Sequence, residues 1–299
     1  MGKYKFTIII PHHNSLDLLR RCLDSIPDRS DLQIIVIDDN SSSEIVDFDA
    51  LSSYAKSNTQ IVLTKEGRGA GFARNIGLKY AQGEWLLFSD ADDTFNTSVL
   101  NKALTDYYEN DSDIIYFNAN VINADTGDLT NNRLEIDSHI KSCLKSNAEW
   151  FRYKASYPWA KMIKRSLVVG HNIMFEEVMA GNDAMFSLQI GYYAKSILLV
   201  DLPIYNWMFR SNGNITSNIS LDAALSKLGV AKRRNDFLER EGVAQYRNNL
   251  FQNHLFLLHK AGLSYPNAFM KIIHNTPGKY LLSDILSFSK FVISHKHID

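Results

Sequence analysis

Glu84-Trp-Leu-Leu-Phe-Ser-Asp-Ala-Asp-Asp-Thr-Phe95 is the stretch on which the fold turns. Four apolar residues, Trp85 to Phe88, run without a polar interruption and give way to Asp90, Asp92 and Asp93. An unbroken apolar run of this length marks a strand covered on both faces, as in a parallel sheet. The carboxylates then stand at that strand's C-terminal end. Three such groups crowded together repel one another, and one tends to keep its proton. A divalent cation removes the conflict, because hard oxygen ligands suit Mg²⁺ or Mn²⁺.

The same pattern recurs on either side. Phe6–Ile10, Gln33–Asp38, Gln60–Thr64, Trp85–Asp90 and Asp113–Val121 read as strands, and Leu16–Ile26, Ala70–Ala81 and Thr97–Tyr108 carry helical spacing. Alternation of this kind predicts an α/β fold with a doubly wound, mostly parallel sheet flanked by helices. Ligands of such sheets bind beyond the carboxyl ends of the strands. Asp38, Asp39, Asp90 and Asp92 all fall there. Further along, Pro158-Trp-Ala-Lys161 reads as a loop, Val178–Ala194 as a helix and Ile197–Phe209 as a strand interrupted by Pro203. After the turn-rich Ser211-Asn-Gly-Asn-Ile-Thr-Ser217 come three helical segments, Ala224–Glu241, Tyr246–Gly262 and Tyr280–Ser294. A soft boundary near residue 219 separates a ligand-binding domain, 1–219, from a helical C-terminal extension, 220–299.

Bulk properties narrow the function classes. The 299 residues carry a net charge of −1 with both signs mixed, so no general field attracts nucleic acid. Cys22 and Cys143 stand far apart and near no His/Cys metal spacing, which reads as buried thiols in a reducing compartment. The first apolar run, ended by Pro11, is too short for a signal peptide, and no stretch is long enough to span a bilayer. These features place the protein in the cytoplasm. Basic residues at 227, 232, 233, 234 and 240, and an amphipathic last helix, add possible peripheral contact with an anionic membrane face. A helix packed on the catalytic domain or on a second subunit is the plainer alternative.

Asp90-Ala-Asp-Asp-Thr94 has two chemical readings and a bland one. As D-x-D-x-T after an apolar strand it resembles the nucleophile motif of haloacid-dehalogenase-like phosphohydrolases. As D-x-D it resembles the metal motif of nucleotide-sugar-dependent glycosyltransferases. It can also be a capping cluster for the helix near Thr97. Asp38 and Asp39, which end a different strand, favour the second reading: a phosphohydrolase has no use for them, whereas a nucleotide site does, since a carboxylate accepts hydrogen bonds from a base N–H or a ribose hydroxyl.

Thr7-Ile-Ile-Ile-Pro-His-His-Asn14, Val36-Ile-Asp-Asp-Asn-Ser41, Gly71-Phe-Ala-Arg-Asn-Ile-Gly77 and Gly83-Glu-Trp-Leu-Leu-Phe-Ser-Asp-Ala-Asp-Asp93 occur together. Their order and spacing resemble those of family 2 glycosyltransferases over about residues 5–215. The resemblance implies the A-type glycosyltransferase fold, a nucleotide-sugar donor (UDP-linked in the reading adopted), Mn²⁺ or Mg²⁺, and inversion at the anomeric carbon. It implies a saccharide or lipid-linked saccharide acceptor in bacterial surface-polysaccharide assembly. Carried over by position, Asp39 is the uracil-binding carboxylate with Asp38 its neighbour. Pro11 and Asn14 form the first loop over the nucleotide, Arg74 contacts base or phosphate, Asp90 faces ribose or metal, and Asp92 ligates the metal. Asp93 reads as a helix cap, while Asn75 and Gly77 shape the loop and pack the helix. His12 and His13 depart from the family's tyrosine and read as loop packing.

The family's base comes from an acidic pair opening a later helix. Phe175-Glu-Glu-Val-Met-Ala-Gly-Asn-Asp-Ala-Met-Phe186 offers Asp183 for that role, with Asn182 in place of the preceding acid. Glu176 and Glu177 are alternatives for the base, and an N-cap is the alternative role for Asp183. Trp159 and Lys161 resemble an acceptor-side loop, where an exposed Trp159 would stack on a sugar and a buried core Trp is the alternative, and Arg210 resembles a cation that neutralises the diphosphate. The departure at Asn182 keeps open a non-catalytic module that binds nucleotide or glycan. A dinucleotide fingerprint around Gly67–Arg74 fails, because Arg74 occupies its third glycine position.

Overall fold

The computed structural model describes residues 4–130, 140, 149–210 and 219–294. Cys143, the 211–217 turn segment, His295 and Lys296 lie outside them. The strands are β1 (Phe6–His12), β2 (Leu32–Asp39), β3 (Thr59–Thr64), β4 (Trp85–Phe88), β5 (Thr94–Phe95), β6 (Ile114–Asn123), β7 (Lys161–Lys164) and β8 (Ile197–Phe209). They form one sheet in the order β3-β2-β1-β4-β7-β6-β8-β5. The run β3-β2-β1-β4 is parallel throughout, as is β6 with β8. β7 enters antiparallel between β4 and β6, and β5 pairs antiparallel with β8. The expected mostly parallel α/β sheet is therefore present, with one short reversed strand near its centre.

Helices α1 (Leu16–Asp24), α2 (Phe48–Ser53), α3 (Ala70–Tyr80) and α4 (Thr97–Asp106) follow the first strands, and α5 (Glu149–Lys154), α6 (Arg165–Gly170) and α7 (Asn182–Tyr193) follow later. Every residue of β1 and β2 is buried, which is why neither alternates polar and apolar positions. Pro11 is tolerated in this central strand because the β1–β4 pairing ends at Ile9↔Phe88, before its missing N–H is needed. Close packing of α3 on the sheet depends on Gly77: a Cβ there would stand 2.4 Å from Ile9 Cγ2. The near approach that a dinucleotide fingerprint assigns to its third glycine is thus made one turn later, which leaves position 74 free for arginine.

Pro203 does not end β8. Instead the β6–β8 register shifts at Phe117/Asn118 and Asn118/Ala119, where Asn118 faces Pro203, so the irregularity absorbs the lost donor.

Contacts divide the chain into two compact units. The first runs to Glu177 and resumes at Phe186, and the second takes Val178–Met185 and the chain beyond residue 211. The second unit holds α8 (Leu221–Arg240), a 3₁₀ turn, α9 (Leu250–Lys260), α10 (Tyr265–Asn275) and α11 (Gly278–Ser294). Its own apolar cluster includes Ala224, Leu228, Leu250, Phe251, Leu258, Ala268 and Ile272. No helix among the described residues is long and apolar enough to cross a membrane.

Candidate active site

Because β2, β1 and β4 are parallel neighbours, Asp38–Asp39 and Ser89–Asp90 emerge on the same edge of the sheet. Adjacent strands lie about 4.8 Å apart, so the two acidic ends flank β1 at a separation of about 10 Å. The two acidic strand ends therefore lie on one edge of the sheet, on either side of β1.

Asp38 and Asp39 serve different partners. Asp38 is 1% exposed; its Oδ2 is 2.7 Å from His12 Nδ1 and accepts the Ser41 hydroxyl at 2.6 Å, while Oδ1 accepts the Ser41 N–H at 3.0 Å. Burial opposes ionisation, but the hydrogen bonds from His12 and Ser41 outweigh it and hold this carboxyl below its ordinary range. Asp39 accepts the Thr64 hydroxyl at 3.1 Å and the N–H groups of Arg68 at 3.3 Å and Gly69 at 2.6 Å. Those three donors leave about one of a carboxylate's four lone-pair positions for a ligand. Gly69, at φ +90°, turns the backbone so that its N–H points at Asp39, a conformation that L side chains rarely adopt.

The first loop is tied across the two strands. Asn14, at φ 52°, donates its N–H to Ser41 Oγ at 2.8 Å and accepts the Ser42 N–H on Oδ1 at 2.8 Å. Ser15 N–H reaches His12 Nε2 at 3.2 Å, and His13 Nδ1 lies 3.0 Å from the Asp39 carbonyl. His12 and His13 therefore hold the loop.

Each aspartate of the second cluster has its own partner. Asp90 Oδ1 pairs with Arg74 Nη2 at 2.5 Å, and that buried guanidinium also lies over the Phe175 ring. Asp92, half-exposed, faces Arg210 Nη1 at 3.4 Å. Asp93 is 2% exposed and accepts the Tyr205 hydroxyl at 2.7 Å and the Met208 N–H at 2.8 Å. Burial and then the charge of Asp90 raise Asp92, and the same two causes, with Asp92 added, push Asp93 well above the usual carboxylate range. Asp93 does not cap a helix: Asn96 occupies the N-cap position of α4. Beneath the cluster, burial pushes the Cys22 thiol up to about 12, so it is inert at neutral pH.

Two acceptor-side assignments are corrected. Lys161 is fully buried, donating to the carbonyls of Ala155 at 2.9 Å and of Tyr157, so it is a cap on backbone groups and not a surface cation. Trp159, 8% exposed, stacks on Tyr157 at 4.4 Å and on Tyr205 at 5.0 Å, which leaves little ring to meet a sugar. Glu177, the alternative base, pairs with Arg68 and accepts from Asn75 Nδ2 at 3.3 Å. Asn75 also exchanges hydrogen bonds with the Phe175 backbone, at 2.9 and 2.8 Å.

Asp183 belongs to the second unit, in the first turn of α7. Three residues on, Phe186 is buried in the core of the first unit and stacked on Phe175 at 3.9 Å. Within its own unit Asp183 acts on Arg234, whose guanidinium burial lowers to about 10 while the Asp183 charge works the other way. Arg234 Nη1 donates to the Ala184 carbonyl at 2.9 Å.

The profile of Glycosyl transferase family 2 matches residues 7–176. Among curated relatives, the putative glycosyltransferase EpsH of Bacillus subtilis is 24% identical over 258 residues, covering 82% of this chain and 72% of the relative. The poly(ribitol-phosphate) beta-glucosyltransferase of Bacillus spizizenii is 29% identical over 70% of the chain, which spans only 33% of that longer protein. Of the solved structures, S. aureus TarS 1–349 in complex with UDP-GlcNAc superposes with a TM-score of 0.64 at 22% identity, covering 96% of this chain and 80% of that one.

Proposed function

The chain belongs to glycosyl transferase family 2, and on that premise we propose an inverting transfer of a sugar from a UDP-linked donor to an acceptor hydroxyl. The observation that carries this reading is the pairing of two acidic strand ends, after β2 and after β4, on the two sides of β1. The first is built for hydrogen bonding to a nucleoside and the second for positive charge. The haloacid-dehalogenase reading loses its footing, because Asp90 is ion-paired with Arg74 and Thr94 lies in β5, paired with Asn206.

The side chains fit a divalent cation. Asp90 and Asp92 offer hard oxygen donors whose mutual repulsion a cation relieves, while Asp93 is already occupied by Tyr205 and Met208. When bound, Mn²⁺ or Mg²⁺ supplies Lewis-acid stabilisation to the leaving diphosphate. Asp39 takes the uracil N–H on its remaining lone pair, and Asn14 and Pro11 form the loop over the base. Arg74, buried beside Asp90, pairs with that carboxylate and directs it. Asp183 accepts the proton of the attacking hydroxyl, which makes the oxygen nucleophilic as the sugar–phosphate bond breaks on the opposite face.

The acceptor in this reading is a saccharide or a lipid-linked glycan of the cell surface, in line with the poly(ribitol-phosphate) glucosyltransferase named above. The chain works in the cytoplasm, at the inner membrane face. Leu282, Leu286 and Ile293 of α11 are 71%, 54% and 66% exposed, whereas Leu281, Ile285 and Phe288 pack inward. Residues 220–299 carry eleven Lys and Arg against six Asp and Glu, a sign that suits an anionic bilayer.

UDP with Mn²⁺ should raise the melting temperature of the full chain, and a panel of UDP- and GDP-sugars should reveal one hydrolysed donor. Asp183→Asn should keep UDP binding and lose about 10²–10⁴-fold in turnover. UDP binding with neither transfer nor hydrolysis of any donor would instead identify a binding module.

A further inference from the structure

Arg210, the residue after β8, stands at the metal-facing carboxylate with donor capacity to spare. Nη1 meets Asp92 at 3.4 Å, while Nη2 is buried with no hydrogen-bond partner among the described residues. The contact is mounted on a braced frame. Met208, two residues before Arg210, donates its N–H to Asp93, next in sequence to Asp92. Tyr205 donates to the other oxygen of Asp93 and its hydroxyl accepts the Asp90 N–H at 3.1 Å, and Thr94 pairs with Asn206 in the sheet. The acidic turn and the end of β8 are thus fastened at four successive points, and Arg210 is held at Asp92 by those fastenings more than by its own ion pair.

This arrangement sets a competition. A guanidinium stays protonated at any working pH, so it and a divalent cation contend for one carboxylate. Asp93 offers no way round, because Tyr205 and Met208 occupy both of its oxygens, and Asp90 already shares its charge with Arg74. Among the described residues no three His, Cys, Asp or Glu side chains gather into a cation cage. Oxygens from elsewhere are needed, and a nucleoside diphosphate supplies them. The same diphosphate is an acceptor for Arg210 Nη2, a buried donor whose pairing breaks no existing bond.

We infer that Arg210 is a displaceable counter-cation: it neutralises Asp92 until a nucleoside diphosphate arrives, then turns to the diphosphate, so that divalent cation and nucleotide bind as a pair. This rests on the donor reading above and adds a rule for how that site loads. Cation binding without nucleotide is suppressed by this chain's own arginine.

The test is Mn²⁺ uptake by the full chain, followed through the electron paramagnetic resonance signal of the free ion, with and without UDP. Wild type should bind Mn²⁺ weakly alone and at least about tenfold more tightly with UDP. In Arg210→Gln, uptake of Mn²⁺ alone should tighten by about tenfold, equivalent to about 1.4 kcal/mol, and the gain from UDP should shrink. Arg210→Lys keeps the charge and should stay close to wild type, which separates the electrostatic effect from a change in packing; melting temperatures check that both variants fold. Arg210→Gln taking up Mn²⁺ alone no better than wild type overturns the inference. Wild type taking up no Mn²⁺ even with UDP would overturn the metal-dependent donor reading itself, a separate and recognisable result.

Discussion

His254 makes the helical unit sensitive to acid because its imidazole is buried. The side chain is 7% exposed, beside Phe251, Leu255 and Leu258 on α9, and its Nδ1 has no hydrogen-bond partner among the described residues. Burial, and then the charge of Lys227, lower its pKa from 6.5 to about 4. The folded form therefore refuses a proton that the unfolded chain accepts. Above pH 6.5 neither state binds it and stability is unaffected. As pH falls through 6.5 the unfolded state is progressively favoured, and the loss stops growing once the folded imidazole also titrates, near pH 4. Each pH unit between those limits costs about 1.4 kcal/mol, so the span amounts to about 3 kcal/mol, with about 2 kcal/mol already lost at pH 5. Urea unfolding monitored by far-UV circular dichroism at pH 7 and pH 5 measures it. His254→Leu removes the titration and should flatten that part of the pH dependence, while Lys227→Gln, which removes the second cause, should reduce it. If His254→Leu loses as much stability as wild type between pH 7 and pH 5, the imidazole is not the responsible group.

Replacing Arg74 by Met should strip Asp90 of its counter-charge. Because Asp90 is about a third exposed, the usual cost of breaking a buried pair is reduced to about 2 kcal/mol near neutral pH, read by denaturant midpoint. UDP–Mn²⁺ affinity should fall with it, and Arg74→Lys should restore part of both. Gly77→Ala should destabilise by about 1–3 kcal/mol of overpacking against Ile9, less about 1 kcal/mol gained in helix propensity. The penalty should vanish in an Ile9→Ala background, as a double-mutant cycle will show. Co-sedimentation with phosphatidylglycerol vesicles at low salt should be strong for the full chain and lost in Leu282→Glu/Leu286→Glu; equal binding by both proteins removes α11 as the contact.

The parts of the fold legible in the sequence are those whose cause is local. β1, β2 and β4 announce themselves because burial on both faces demands unbroken apolar runs, and the carboxylates that end β2 and follow β4 mark the C-terminal edge of the sheet. β7 has four residues, two of them lysines, and β5 has two, so neither offers a period to read. Lys161 misleads for a related reason. A lysine is ordinarily at the surface, and nothing nearby in sequence says that the Ala155 and Tyr157 carbonyls will meet its amine. The partners of Asp93 lie more than a hundred residues away, so a capping role is the only one sequence proximity could propose. Asp39 sits between these cases. Its position at a strand end is readable, but the three donors that fill most of its oxygens come from the end of β3 and the loop after it, around twenty-five to thirty residues on.

Three aspartates within four positions are tolerable at the mouth of a buried strand because the chain gives each a different kind of neighbour. Asp90 receives a buried arginine, Asp92 an arginine at the end of another strand, and Asp93 a neutral hydroxyl and a backbone N–H. The order matters. The position most deeply buried is given neutral donors and held well above the usual carboxylate range, so it need not carry charge at all. The position with half its side chain open is given the looser cationic contact, at 3.4 Å, which is the one a ligand can replace. Exchanging these assignments would put an exchangeable charge where no ligand reaches and a fixed neutral group where one arrives. The repulsion among the three carboxylates is therefore relieved in graded fashion, most firmly at Asp93 and least at Asp92. In the proposed donor site, that gradient would direct incoming positive charge to Asp92.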